Sequence, residues 1–439
     1  MRKKLSKPII TAMALAVLIF TFLFPQAGLI AILLCGVVMI IRKKTPKADR
    51  RFIILVLIIA IASRLLVMFA YNYFWLETGR ADVIGPDGET FSRIAWSITK
   101  ALSGDAGGYL PPTNPVAHGP IMYSIGFVYL IFGYAPLIIK SLNITASAIA
   151  AFLVYLTALE LSTRRVARIA FLIFAFFPSI FIFSISMLRE PVIVLCVAAV
   201  IYSLVRLKRK VDLAGIIILA VGMCAIIFFR REMAMILAAT TITSLGRQGR
   251  RLLYVFLIGL AVLSASLFWG FMKTADCRLH SVLFLRHAAQ YESGGRLAYR
   301  IFPDSFYEEH KRYALDKEYL ACRAGCTIVE FLRYLPKGAF FYMARPFPFT
   351  RADLVYRLLS FQMLYWYLIV ALSFFGMMRI RKPQARPIFI YIILIILATS
   401  MAEGNEGILL RHRDAIVPFF IIFASACVDS IFKERVDNG

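Results

Sequence analysis

Residues 52–74 read FIILVLIIAIASRLLVMFAYNYF. The run is apolar on every side rather than along one helical stripe, and it reaches the ~17–25 residues that carry a helix across a bilayer. Its single charge, Arg64, is costly at that depth. The side chain faces protein, reaches outward to the interface, or holds an adjoining loop by hydrogen bonds. Similar runs recur at 8–24, 27–41, 138–161, 166–187, 190–207, 213–229, 233–246, 252–272, 355–378, 387–403 and 414–432, of which 233–246 is the shortest. Composition agrees: 60% of the residues are hydrophobic and 17% charged, against about half and about a quarter in soluble domains. A lipid-facing backbone must satisfy its own hydrogen bonds, and unbroken runs do not fit the alternating ten-residue strands of a barrel. The expected fold is all-α, a polytopic membrane protein with about twelve transmembrane helices.

The net charge is +25, yet the basic residues sit in short clusters between apolar runs, which argues against nucleic acid as a partner. Arg2 to Lys7, RKKTPKADRR (42–51), TRRVAR (163–168), RLKRK (206–210), RQGRR (247–251), RIRKPQAR (379–386) and KER (433–435) all fall on one side if both termini are cytoplasmic. The N-terminal run is read as a retained anchor, because no small-residue cleavage site follows it. The chain divides into a hairpin at 1–51, a core at 52–272 containing a first outer loop (75–137), a long extracytoplasmic loop at 273–354, and closing helices at 355–439.

The outer side then receives the turns at 188–190, 230–232 and 402–414 and the two long segments. Residues 89–103 place Phe91, Ile94, Trp96, Ile98 and Leu102 broadly on one face, as an interfacial helix does. HGPIMYSIGFVYLIFG (118–133) is apolar but short, and reads as a re-entrant or surface-lying helix. A second outer amphipathic element is IVEFLRYLPKGAFFYMARPFPFT (328–350). Cys35, Cys196, Cys224 and Cys427 lie in apolar runs as packing residues. Cys277, Cys322 and Cys326 share the long loop, where Cys277 has two potential disulfide partners that spacing does not separate.

Four stretches together resemble the C-type membrane glycosyltransferases (GT-C), a superfamily that includes protein mannosyltransferases and aminoarabinose transferases using polyprenyl-phosphate sugars. They are IAIASRLLVMFAY (59–71), GPDGETFSRIAWSI (85–98), the 118–133 stretch with TRRVARIAFLIFAFFPSIFIFSISMLREP (163–191), and LLRHRDAIVPFFIIFAS (409–425). The resemblance implies an enzyme of the inner (plasma) membrane with its active site on the extracytoplasmic face. It implies as partners the bilayer, a polyprenyl-(di)phosphate-linked sugar, and a glycan, lipid or protein acceptor.

Such chemistry needs a carboxylate to deprotonate an acceptor hydroxyl or to hold a metal, and cations to stabilise the departing phosphate. The resemblance puts the base in the first outer loop, where Asp87 matches best, then Glu89, then Asp82. Both Asp87 and Glu89 also suit a helix start, as a cap and as a first-turn anion. The sequence identifies no cofactor, and a divalent metal at Asp87 is left open. Donor-phosphate contacts are expected from Arg411 and Arg413, which the resemblance places near the lipid phosphate, and from Arg230, Arg231 and Arg189 in outer turns. Ion pairs with Glu403, Glu406 or Asp414 are the plainer account of the RHRD arginines. Glu190 could bind acceptor or metal, or simply start a helix. His118 is an acid, base or loop residue, and Arg345 a phosphate contact or an interfacial anchor. SGGR (293–296) lacks the context of a nucleotide loop. Two other readings remain: a polysaccharide polymerase or ligase using undecaprenyl-diphosphate oligosaccharide, and a transporter or flippase, which should carry inverted repeats and midplane polar groups.

Overall fold

The computed structural model describes residues 25–76, 86–105, 107–108, 119–244, 279–308, 328–348 and 354–437. Among them the secondary structure is helical apart from one isolated bridge between Ala298 and Asn405. Two compact units emerge, Met1–Phe152 with Ala175–Leu195, and Leu153–Phe174 with Cys196–Gly439.

The first unit begins with α1 (Pro25–Lys44) and α2 (Arg50–Tyr71), which continues into a π-helical turn at Asn72–Leu76. Along α2 the residues Ile53, Leu57, Ala60, Arg64 and Met68 are buried, while Leu55, Ile58, Ile59 and Leu66 are exposed. An exposed face this apolar is a face made for lipid. Next come α3 (Pro86–Leu102) and α4 (Gly119–Phe132), which form a hairpin. The buried stripe of α3 is Phe91, Ser92, Ala95, Ile98 and Thr99, a helical spacing that keeps one side against α4. Leu102, expected on that face, is 58% exposed, and Trp96 is half-buried. The reason is polar: Ser92 Oγ meets Tyr129 Oη at 2.7 Å, and Thr99 Oγ1 donates to the Gly126 carbonyl at 2.9 Å. Those two bonds, rather than apolar residues alone, set the rotation of α3.

Helix α5 (Pro136–Leu161) starts in the first unit and ends in the second. The apolar run expected as one span over 166–187 is broken into α6 (Arg164–Ala175) and α7 (Pro178–Ser184), bent by 53°. Phe177 is extended ahead of Pro178, as the residue before proline must be, and the proline then serves as a helix start.

The second unit takes the remainder: α8 (Glu190–Arg209) from Cys196 onward, α9 (Leu213–Phe229), α10 (Arg231–Ser244), α11 (Leu279–Ser293), α12 (Ile328–Ala344), α13 (Leu354–Arg379), α14 (Arg386–Thr399), α15 (Glu406–Arg413) and α16 (Val417–Asp437). Asp212 caps α9 by accepting from the Gly215 amide at 3.1 Å while Arg206 grips its carboxylate. Helices α13 and α16 approach so closely at Gly376 that an added Cβ would overlap the Phe423 carbonyl.

Among the described residues four helices, Arg50–Phe74, Pro136–Leu161, Glu190–Arg209 and Ser360–Arg379, are long and apolar enough to cross a membrane, or up to six spans if α6–α7 and α15–α16 each count as one. Shorter apolar helices occupy 120–132, 213–229 and 383–399. The expected runs 8–24 and 252–272 lie outside the described residues.

Candidate functional site

Chemically competent groups collect in two places, one in each unit. In the first unit Asp87 and Glu89 occupy the first turn of α3, both exposed, where carboxylates complement the helix dipole. Gly88 lies between them, flat against Met187: a Cβ built there would stand 3.1 Å from the Met187 Cβ and 3.4 Å from its amide nitrogen. The acids are therefore seated on the turn that leads to Arg189 and Glu190. Arg189 is half-buried and Glu190, the first residue of α8, is buried. That turn is itself gripped from α5, because Asn143 Nδ2 donates to the carbonyls of Ser186 (2.8 Å) and Leu188 (2.7 Å). His118 and Asp82 lie outside the described residues.

The second unit carries a buried charge cluster around residues 403–413. His412 Nδ1 stands 2.6 Å from a Glu403 carboxylate oxygen, and both side chains are at most 4% exposed. The two groups are in close polar contact, and neither side chain has another hydrogen-bond partner among the described residues. Arg286 of α11 donates to Glu232 at 2.9 Å and reaches Glu403 at 3.7 Å. Burial alone would raise the Glu403 carboxyl, but His412, Arg286 and Arg230 outweigh it and hold that carboxyl down at about 2. His287, fully buried and joined to Tyr307 Oη at 3.0 Å, is pushed down to about 4 by burial.

The segment from α11 to Tyr299 is latched onto this turn by hydrogen bonds to Gly404. The Tyr299 amide donates to the Gly404 carbonyl at 3.0 Å, and the Gly404 amide donates to Gln290 Oε1 at 3.0 Å. Gly404 has no room for a side chain, since a Cβ would overlap the His287 carbonyl. Asn405 then caps α15 by accepting from the Gly407 amide at 2.8 Å.

The arginines expected at a phosphate fall into different environments. Arg411 is half-buried in the last turn of α15, Arg231 is half-buried at the start of α10, and Arg230 is 8% exposed in extended backbone between α9 and α10. Arg413 is 2% exposed and its Nη1 donates to the carbonyls of Arg345 (2.7 Å), Met343 (3.2 Å) and Tyr342 (3.4 Å). These are the orphan carbonyls at the end of α12, which Trp366 and Tyr367 also serve through bonds to Met343 and Ala344. Arg413 thus works as a cap for α12, a role the sequence did not announce. Arg345 pairs with Glu406 at 2.7 Å, and its guanidinium packs over Phe341, Tyr299 and Phe347 at 4.5–5.1 Å. Among the described residues no three His, Cys, Asp or Glu side chains assemble as metal ligands.

Arg286, His287, Tyr299, Glu403 and Asn143 carry much of this architecture, and only Glu403 had been singled out, as an ion-pair partner. Nothing local marks Asn143 and Tyr299, which are uncharged, or Arg286 and His287, which lie in a segment already rich in charge.

No family model matches the chain, and no curated protein matches it. Among solved structures it resembles the archaeal oligosaccharyltransferase AglB from Archaeoglobus fulgidus, solved with an inhibitory peptide and a dolichol-phosphate, at TM-score 0.51 and 13% identity over 89% of this chain. The chain spans 51% of that protein's length. The likeness is one of fold: the helical architecture described here is similar to part of that of AglB, which has a GT-C fold.

Proposed function

We propose that this chain is a membrane glycosyltransferase that moves a sugar from a polyprenyl-(di)phosphate donor to an acceptor at the extracytoplasmic face, with both termini cytoplasmic. The observation that carries the reading is the acid-bearing start of α3, Asp87 and Glu89 exposed and seated on the turn before Arg189 and Glu190, in a GT-C-like fold. Support for a lipid-phosphate donor comes from the dolichol-phosphate bound to AglB.

In this reading Asp87 accepts the proton of the acceptor nucleophile as its new bond to the anomeric carbon forms, and Glu89 shares that task. The bond from that carbon to the phosphate oxygen breaks, and the oxygen leaves with its electron pair. Arg189, which follows the turn that seats these acids, neutralises the leaving phosphate. Arg413 and Arg345 serve indirectly, by tying the end of α12 to α15 through the Arg345 carbonyl and Glu406. The test is transfer from a polyprenyl-phosphate sugar pool by Asp87→Asn and Glu89→Gln at matched expression. Loss of general-base help should slow transfer by about 10²–10⁴-fold; wild-type product from both variants would remove the assignment.

A further inference from the structure

We infer that Arg64 and Asn143 are positioning residues that fix the acid-bearing turn of α3 through the turn at 185–188. The inference rests on the reading of Asp87 as the base, but its structural half can be measured without that reading.

Arg64 is 3% exposed, within an apolar helix. Its guanidinium forks to four neutral acceptors on three other helices and its own: the Ala175 carbonyl at 2.7 Å, Ser184 Oγ at 2.9 Å, the Ala60 carbonyl at 3.0 Å and Ser147 Oγ at 3.4 Å. It also lies over the Phe181 ring at 4.7 Å. No carboxylate meets it among the described residues. Its partners are the last residue of α6 and the last residue of α7, the two ends left by the break at Pro178. Arg64 therefore sets the angle at which α7 delivers the chain to the next turn.

The turn is then locked from a second side. Ser186 Oγ donates to the Phe183 carbonyl at 2.8 Å and accepts from the Leu188 amide at 3.3 Å. Asn143 holds the carbonyls on either side of Met187, at 2.8 and 2.7 Å. Met187 is consequently a fixed floor, and Gly88 rests on it with no space for a side chain unless a neighbour gives way. Asp87 and Glu89 flank that glycine, so their backbone positions follow from where Met187 is held. Lysine cannot replace Arg64, because one ammonium cannot span acceptors arranged for a planar fork.

The experiment places the Gly88→Cys/Met187→Cys pair in otherwise wild-type protein and in Arg64→Met, Arg64→Lys and Asn143→Leu, and measures the 88–187 disulfide by peptide mass spectrometry. The Cβ separation of 3.1 Å is a few tenths short of the span a disulfide takes, so ready closure is expected in the parent. We expect a several-fold lower yield in the three variants, and, in the same substitutions made without cysteines, turnover reduced about ten- to a hundredfold with donor KM unchanged. Unchanged cross-linking in folded, monodisperse Arg64→Met and Asn143→Leu protein would overturn the inference. A loosened cross-link with full turnover would support the placement and remove Asp87 from the chemistry instead. Should Arg64→Met fail to fold, Asn143→Leu and Ser184→Ala carry the same readout.

Discussion

Arg64 in the first unit and Glu403 in the second are buried charges held in opposite ways. In the first, Arg64 is satisfied entirely by hydroxyls and carbonyls. In the second, Glu403 is ringed by His412, Arg286 and Arg230. A guanidinium held by neutral dipoles loses one hydrogen-bond donor set when removed. A carboxylate held by cations leaves those cations facing one another when removed. The first arrangement suits a brace, which needs direction; the second suits a charged site, which needs balance.

The largest effect expected from this contrast follows Glu403→Leu. Breaking a buried pair by removing one partner costs about 3–5 kcal/mol, read as a fall in thermal unfolding temperature in detergent; a cost below about 1 kcal/mol would erase the distinction. Arg64→Met should cost less, about 1–3 kcal/mol, the usual penalty for leaving buried acceptors unmet. If it costs more than Glu403→Leu, the ordering of the two sites is reversed.

Acidity separates them further. His287 is held neutral by burial, with its value lowered from 6.5 to about 4. Between those values the unfolded chain binds more protons than the folded one, so the stability His287 contributes is complete above pH 6.5 and is lost as pH falls through about 4. Unfolding temperature should drop over that window and drop less in His287→Phe. The smallest effect belongs to Glu232→Gln: the Glu232 side chain is 56% exposed, and such a pair contributes about 0.2–1 kcal/mol, vanishing with added salt.

Much of the fold could be read directly from the chain, because bilayer spans write themselves as long apolar runs. The expected 138–161 and 213–229 runs match Pro136–Leu161 and Leu213–Phe229 closely. The break at 176–177 escaped notice because hydropathy is blind to backbone direction; Pro178 was its only mark. The site was less legible. Asp87 and Glu89 stood out as acids in a greasy chain, but the role of Arg413 as a cap for α12 depends on carbonyls some seventy residues earlier in the sequence, which no local pattern encodes. The same holds for Asn143, whose partners lie more than forty residues onward.

The meeting of Gly376 with the Phe423 carbonyl sets a limit on motion in the second unit. Backbones that meet without an intervening side chain resist sliding lengthwise, because a residue with a Cβ brought to the place of Gly376 would overlap the Phe423 carbonyl. A lengthwise shift of either helix would have to break that contact, whereas the 58° bend between α15 and α16 lies outside it.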